Sequence, residues 1–99
     1  MEFLITFEVE IPNGTTEVEV EQRTRTEATA AAQLVEEGHL LRLWKRSTAA
    51  DDSTAIGLYT AASEPELERL LRDLPLADWM RVTITPLAPH PNDPAAVLR

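Results

Sequence analysis

Cysteine is absent from the 99 residues. That excludes disulfides, a thiolate nucleophile and any cysteine-ligated metal. The two histidines, His39 and His90, are too few and too far apart in sequence to make a metal site by themselves. Basic residues are scarce as well: 9 stand against 17 acidic ones, a net charge of −8. Nucleic-acid binding requires a basic face, and an electrostatic hold on anionic lipid requires the same, so neither is expected. No apolar run approaches the roughly 20 residues a bilayer demands, and no membrane span is expected. The opening residues Met1–Phe7 lack the basic region and small-residue cleavage site of a signal peptide, so a cytoplasmic location is expected. There is no glycine-rich phosphate loop, nucleophile elbow, zinc-binding His-Glu-x-x-His or calcium loop.

What remains is a chain with 43% hydrophobic residues, enough for one modest core and too many for disorder. Residues 2–11 alternate, with Phe3, Ile5, Phe7, Val9 and Ile11 on one face, which predicts a strand with one side buried. Pro12-Asn13-Gly14 ends it. Thr16 followed by Glu19 predicts a capped helix start, and Gly38 its stop. Val20, Thr24, Ala28, Ala31, Leu34 and Val35 make the expected inner stripe. Residues 39–46 predict a second strand, with Leu41 and Leu43 opposite Leu40, Arg42 and Trp44.

A small polar loop, 47–54, leads into a third strand over 55–61. Ser63-Glu64-Pro65-Glu66 is a strong helix start, and Leu67, Leu70, Leu71 and Leu74 supply that helix with an apolar face before Pro75. Residues 79–87 predict a fourth strand with Met80, Val82 and Ile84 on one side. The domain is therefore expected over 1–88, with 89–99 as a C-terminal arm.

The order β-α-β-β-α-β predicts an α+β, ferredoxin-like fold: a four-stranded antiparallel sheet with two helices on one face. The other face needs cover. A dimer of the α/β-barrel type, with two sheets face to face, would supply it and enclose a pocket. Leu4, Leu40 and Trp44 fit that second face.

Three stretches carry more than pattern. Glu27 lies eleven residues before Gly38, which opens His39-Leu40-Leu41-Arg42-Leu43-Trp44-Lys45. Leu74-Pro75-Leu76-Ala77-Asp78-Trp79-Met80 is the second, and Pro86-Leu87-Ala88-Pro89-His90-Pro91 the third. Together they resemble the muconolactone delta-isomerase family over nearly the whole chain. The resemblance implies a cofactor-free isomerase of aromatic catabolism, in the β-ketoadipate pathway, that moves a double bond in a small lactone. It also implies a homo-oligomer, a dimer or a larger ring such as a decamer.

Such a reaction removes a proton beside a conjugated carbonyl and returns one at another carbon, work that one shielded carboxylate can do. Glu27, which matches the family's helix glutamate, is the candidate acid/base. A plain surface pair with Arg23, one turn earlier, is the competing reading. Arg42 is the candidate anchor for a substrate carboxylate. Lys45, which an ideal strand points away from Arg42 and Trp44, is a second. Trp44 is a candidate pocket wall, Tyr59 a candidate hydroxyl donor and His90 a candidate acid from the tail, while His39 is expected to be exposed.

Two rival readings keep the fold. One is a cofactor-free cyclase or monooxygenase-like protein with a larger, more apolar substrate. Ala28, Ala55 and Gly57 favour it, standing where the family carries lysine, asparagine and serine. The other is a non-catalytic ligand-binding oligomer.

Overall fold

The computed structural model describes residues 1–46 and 53–97. Its elements run β1 (Glu2–Val9), α1 (Glu17–Glu36), β2 (Leu40–Lys45), β3 (Thr54–Thr60), α2 (Glu64–Arg72), a 3-10 turn (Ala77–Trp79), β4 (Met80–Leu87) and a last helical turn α3 (Pro94–Val97). The four strands form one sheet in the order β2-β3-β1-β4, with antiparallel pairing throughout. This is the expected ferredoxin-like arrangement. The expected loop 47–54 lies mostly outside the described residues.

The caps form as the sequence predicts. Thr16 Oγ1 accepts from Glu19 N–H at 3.1 Å, and Ser63 Oγ accepts from Glu66 N–H at 3.3 Å, each satisfying a donor that the first turn leaves free. At the far end of α1, Gly38 sits at φ +81°, a conformation that side chains resist. There Gly38 N–H donates to Val35 O and His39 N–H to Leu34 O, closing the helix with a Schellman motif.

Phe3, Ile5 and Phe7 of β1 are buried against Leu34 of α1 and Leu67, Leu71 and Leu74. Phe3, Ile5 and Leu67 lose all contact with solvent, each contributing about 1.5–3 kcal/mol. Met80, Val82 and Ile84 pair with Val9, Phe7 and Ile5, and so share the helix-facing side.

Three expectations are corrected. Ile11 is exposed, because β1 ends at Val9 and Glu10 N–H is taken by Trp79 O. The inner stripe of α1 is Val20, Arg23, Glu27, Ala30, Ala31 and Leu34, while Thr24, Ala28 and Val35 face solvent. Apolarity alone favours Thr24, but its hydroxyl returns to Val20 O of its own helix. Third, β2 carries a bulge between Leu40 and Arg42. Leu40 therefore opposes Tyr59 and is buried on the helix side, not on the open face with Arg42 and Trp44.

The opposite side of the sheet carries Leu4 and Thr6 from β1, Ile56 and Leu58 from β3, and Arg42 and Trp44 from β2. No helix covers it among the described residues. Trp44 is 40% exposed there.

Candidate active site

Arg23 and Glu27 face inward because a connector, Asp73 to Trp79, gives them partners. Arg23 Nη1 donates to Asp78 Oδ1 at 2.8 Å and to Pro75 O at 3.3 Å. Its guanidinium stacks on Trp79, 4.3 Å from the ring centroid, and Glu19 Oε1 lies 3.6 Å from Nε. One turn later, Glu27 Oε1 accepts from Leu76 N–H at 2.9 Å. The surface pair between Arg23 and Glu27 is not what forms: both reach the same connector instead.

Burial lifts the Glu27 carboxyl above its ordinary value of 4.5, and the Leu76 N–H partly offsets the rise. A carboxylate so placed is a better proton acceptor than one in water. It is anchored at one oxygen, and the other has no partner among the described residues.

Tyr59 lies on the same side of the sheet. It opposes Phe3 and Leu40, is buried, and leans toward Phe7, with ring centroids 5.9 Å apart. Burial pushes its phenol up to about 12, and the negative charge of Glu27 adds to the rise. The phenol therefore keeps its proton at neutral pH, and its hydroxyl has no hydrogen-bond partner among the described residues. Gly57 opposes Ile5 and Leu43 on this side and leaves room for the Tyr59 ring.

The other sequence candidates are placed as follows. Lys45, which opposes Ala55, shares the helix side with Leu43, Gly57 and Tyr59, and is exposed. Arg42 and Trp44 lie on the open side, the guanidinium 5.0 Å above the indole ring. Within one chain the sheet separates them from Glu27. His90 is exposed in the arm, its Nδ1 taken by Asn92 N–H at 3.0 Å. His39 is half-buried rather than exposed: its Nδ1 lies 2.9 Å from Thr60 O. Ala28, on the outer side of α1, lines no hollow with Glu27.

Arg23 and Asp78 were not legible as parts of this arrangement. The available signal was the motif Leu74–Met80, which marks the connector but not what holds it. A separate hollow of about 330 Å³ lies between α2 and β4, lined by Glu68, Leu71, Arg72, Ala77, Val82 and Ile84. Neither Glu27 nor Tyr59 borders it.

Comparison with known proteins bears on the family and the fold. The chain is 28% identical over 92 residues to the muconolactone delta-isomerase of Cupriavidus pinatubonensis, covering 93% of this chain and 97% of that one. Its fold superposes on a crystal structure of muconolactone isomerase with a TM-score of 0.84, at 23% identity and 95% coverage of both chains. It also resembles the 5-chloro-2-hydroxyhydroquinone dehydrochlorinase of Burkholderia phenoliruptrix, solved with 2,5-dihydroxybenzoquinone, at a TM-score of 0.62, 15% identity, and 89% and 94% coverage. The family model for muconolactone delta-isomerase matches residues 1–93, and the chain belongs to that family.

Proposed function

We propose that this protein catalyses an intramolecular proton transfer on a small unsaturated lactone or related acid, in the manner of a muconolactone delta-isomerase, with Glu27 as the single acid/base. The observation that carries this reading is the half-buried Glu27 carboxylate, raised in basicity by burial and fixed at one oxygen by Leu76 N–H.

The ionised carboxylate takes a proton from the carbon activated by the conjugated carbonyl. The C–H electron pair spreads into a dienolate, and charge collects on the carbonyl oxygen. Tyr59, still protonated, donates to that oxygen. The carboxylic acid then returns its proton at the other end of the conjugated system, which shifts the double bond and restores Glu27. Atoms and charge balance without a co-reactant, so a cofactor-free reaction is consistent with the chemistry.

Lys45 is the anchor for a substrate carboxylate that lies on the same side of the sheet. Arg42 and Trp44, on the open side of the sheet, take no part in this site and instead meet a second copy of the chain, while His90 of the exposed arm is the residue that copy would contribute. That places a homo-oligomer within the proposal, the sheets meeting across Leu4, Ile56, Leu58 and Trp44. The cyclase or monooxygenase-like reading is weakened by Ala28, which faces solvent, and by Gly57, whose vacant side-chain volume is taken by Tyr59.

The test is a spectrophotometric assay with muconolactone, run on the wild-type chain and on Glu27→Gln. Turnover by the wild type that falls about 10²–10⁴-fold in the variant is expected. A folded wild-type protein that leaves muconolactone unchanged removes this substrate, and undiminished turnover by the variant removes Glu27.

A further inference from the structure

The connector between α2 and β4 is gripped twice from one helix. Arg23 holds it at two points on either side of Leu76, Pro75 through the carbonyl and Asp78 through the carboxylate, and lies flat on Trp79. Glu27 takes the N–H of Leu76, a residue inside that grip. Leu76 N–H can meet Glu27 only while the connector keeps its path across α1. Leu74 and Trp79 anchor the two flanks of the connector in the core, and no other side chain among the described residues bonds Pro75 O or Asp78 between them. Ala77 N–H returns to Leu74 O and Trp79 N–H to Leu76 O, so the turn is closed on itself, and Trp79 O is bound by Glu10 N–H.

We propose that Arg23 is a positioning residue for Glu27, acting through the connector: it fixes Pro75 and Asp78 so that Leu76 N–H stays on the carboxylate. This rests on Glu27 as the base. Arg23 itself touches no reacting atom. Tyr59 from β3 feels the charge of Glu27; Arg23 stands one turn earlier on the same helix and carries Asp78 of the connector, two residues beyond Leu76, on its guanidinium.

The two ways in which these groups act on Glu27 have opposite signs at Asp78. Removing that negative charge, as a field effect alone, lowers the basicity of Glu27. Releasing the connector, which takes Leu76 N–H off the carboxylate, raises it. Asp78→Ala therefore separates positioning from simple electrostatics, and Arg23→Gln tests the other partner of the same pair.

Two readouts apply to the full chain: the Glu27 carboxyl titration followed by carbon NMR, and hydrogen exchange at the Leu76 amide. In Asp78→Ala and Arg23→Gln alike, the Glu27 midpoint is expected to move upward and Leu76 to exchange at least about tenfold faster. Arg23→Lys, which keeps the charge but cannot stack and reach both acceptors, is expected to fall between them and the wild type. Arg25→Gln, on the outer side of α1 where Arg25 pairs with Glu21, leaves both readouts unchanged. In the isomerase assay, the acid limb of kcat/KM moves in the same direction as the titration.

A downward shift in Asp78→Ala, or unchanged Leu76 exchange in both variants, overturns the proposal. Full turnover by Glu27→Gln instead removes the base on which it rests. Titration and exchange do not depend on turnover, so the two failures are distinct.

Discussion

The ring of Tyr59 stands where a side chain on Gly57 would have to be. A Cβ at position 57 would meet Tyr59 Cε1 at 2.6 Å and Leu43 Cδ1 at 3.4 Å. The first contact is too short for real atoms, and the neighbour is a rigid buried ring rather than a flexible tip. Gly57→Ala is therefore expected to displace Tyr59 and to cost about 1–3 kcal/mol in urea unfolding. Tyr59→Leu in the same chain should recover most of that cost, a coupling that a double-mutant cycle measures. A cost for Gly57→Ala near zero contradicts the contact.

Holding the Glu27 carboxylate half-buried costs some stability. Its folded-state pKa lies above the unfolded value, so the native chain binds that proton more readily than the unfolded chain. Stability from this group is therefore present at low pH and declines as pH rises through the window above 4.5. Glu27→Gln, whose amide oxygen can still accept from Leu76, removes the decline. It is expected to unfold at the same or a slightly higher temperature than the wild type at neutral pH. The gain is a fraction of a kcal/mol, since solvent still screens the carboxylate. It should vanish in acid, as thermal melts at both pH values will show.

The pH dependence of turnover has the opposite requirement. Glu27 must be ionised to accept a proton, so kcat/KM is expected to climb with pH, with a midpoint above 4.5. Tyr59 holds its proton up to about 12, so its loss does not limit the neutral range. Tyr59→Phe should lower kcat about 10–100-fold without moving the acid limb. An acid limb that is unchanged in Glu27→Gln would mean that another group titrates.

The open side of the sheet predicts association. Leu58 sits near its middle, opposite Leu4 on one neighbour and Arg42 on the other. Sedimentation of the wild type is expected to show a dimer or larger species, and Leu58→Lys to shift it toward monomer. A wild type that is monomeric at micromolar concentration contradicts this interface.

Much of the fold was legible because local chemistry and global order agree. The caps at Thr16 and Ser63, the stop at Gly38, and the alternation of β1 and β4 each depend on residues close in sequence. The phase of α1 was not legible, because two charged residues replace apolar ones on its inner side. Their partners, Leu76 N–H and the Asp78 carboxylate, lie about 50 residues away, and no periodicity within the helix reports them. The family motif, not the hydrophobic pattern, marks Glu27. The side taken by Leu40 departs from simple alternation for another reason: the strand contains one irregular residue, and alternation counted from either end fails where it crosses that point.

That irregularity gives β2 one residue of slack. A chain shortened by one position within the strand can absorb the loss by flattening the ladder, and everything downstream keeps its side of the sheet. A chain lengthened by one has no such reserve, and its remaining residues turn over, carrying Trp44 toward the helices and Lys45 away from them. Length changes here are thus asymmetric in their consequences, with deletions tolerated and insertions exchanging the side chains of the two faces of the sheet.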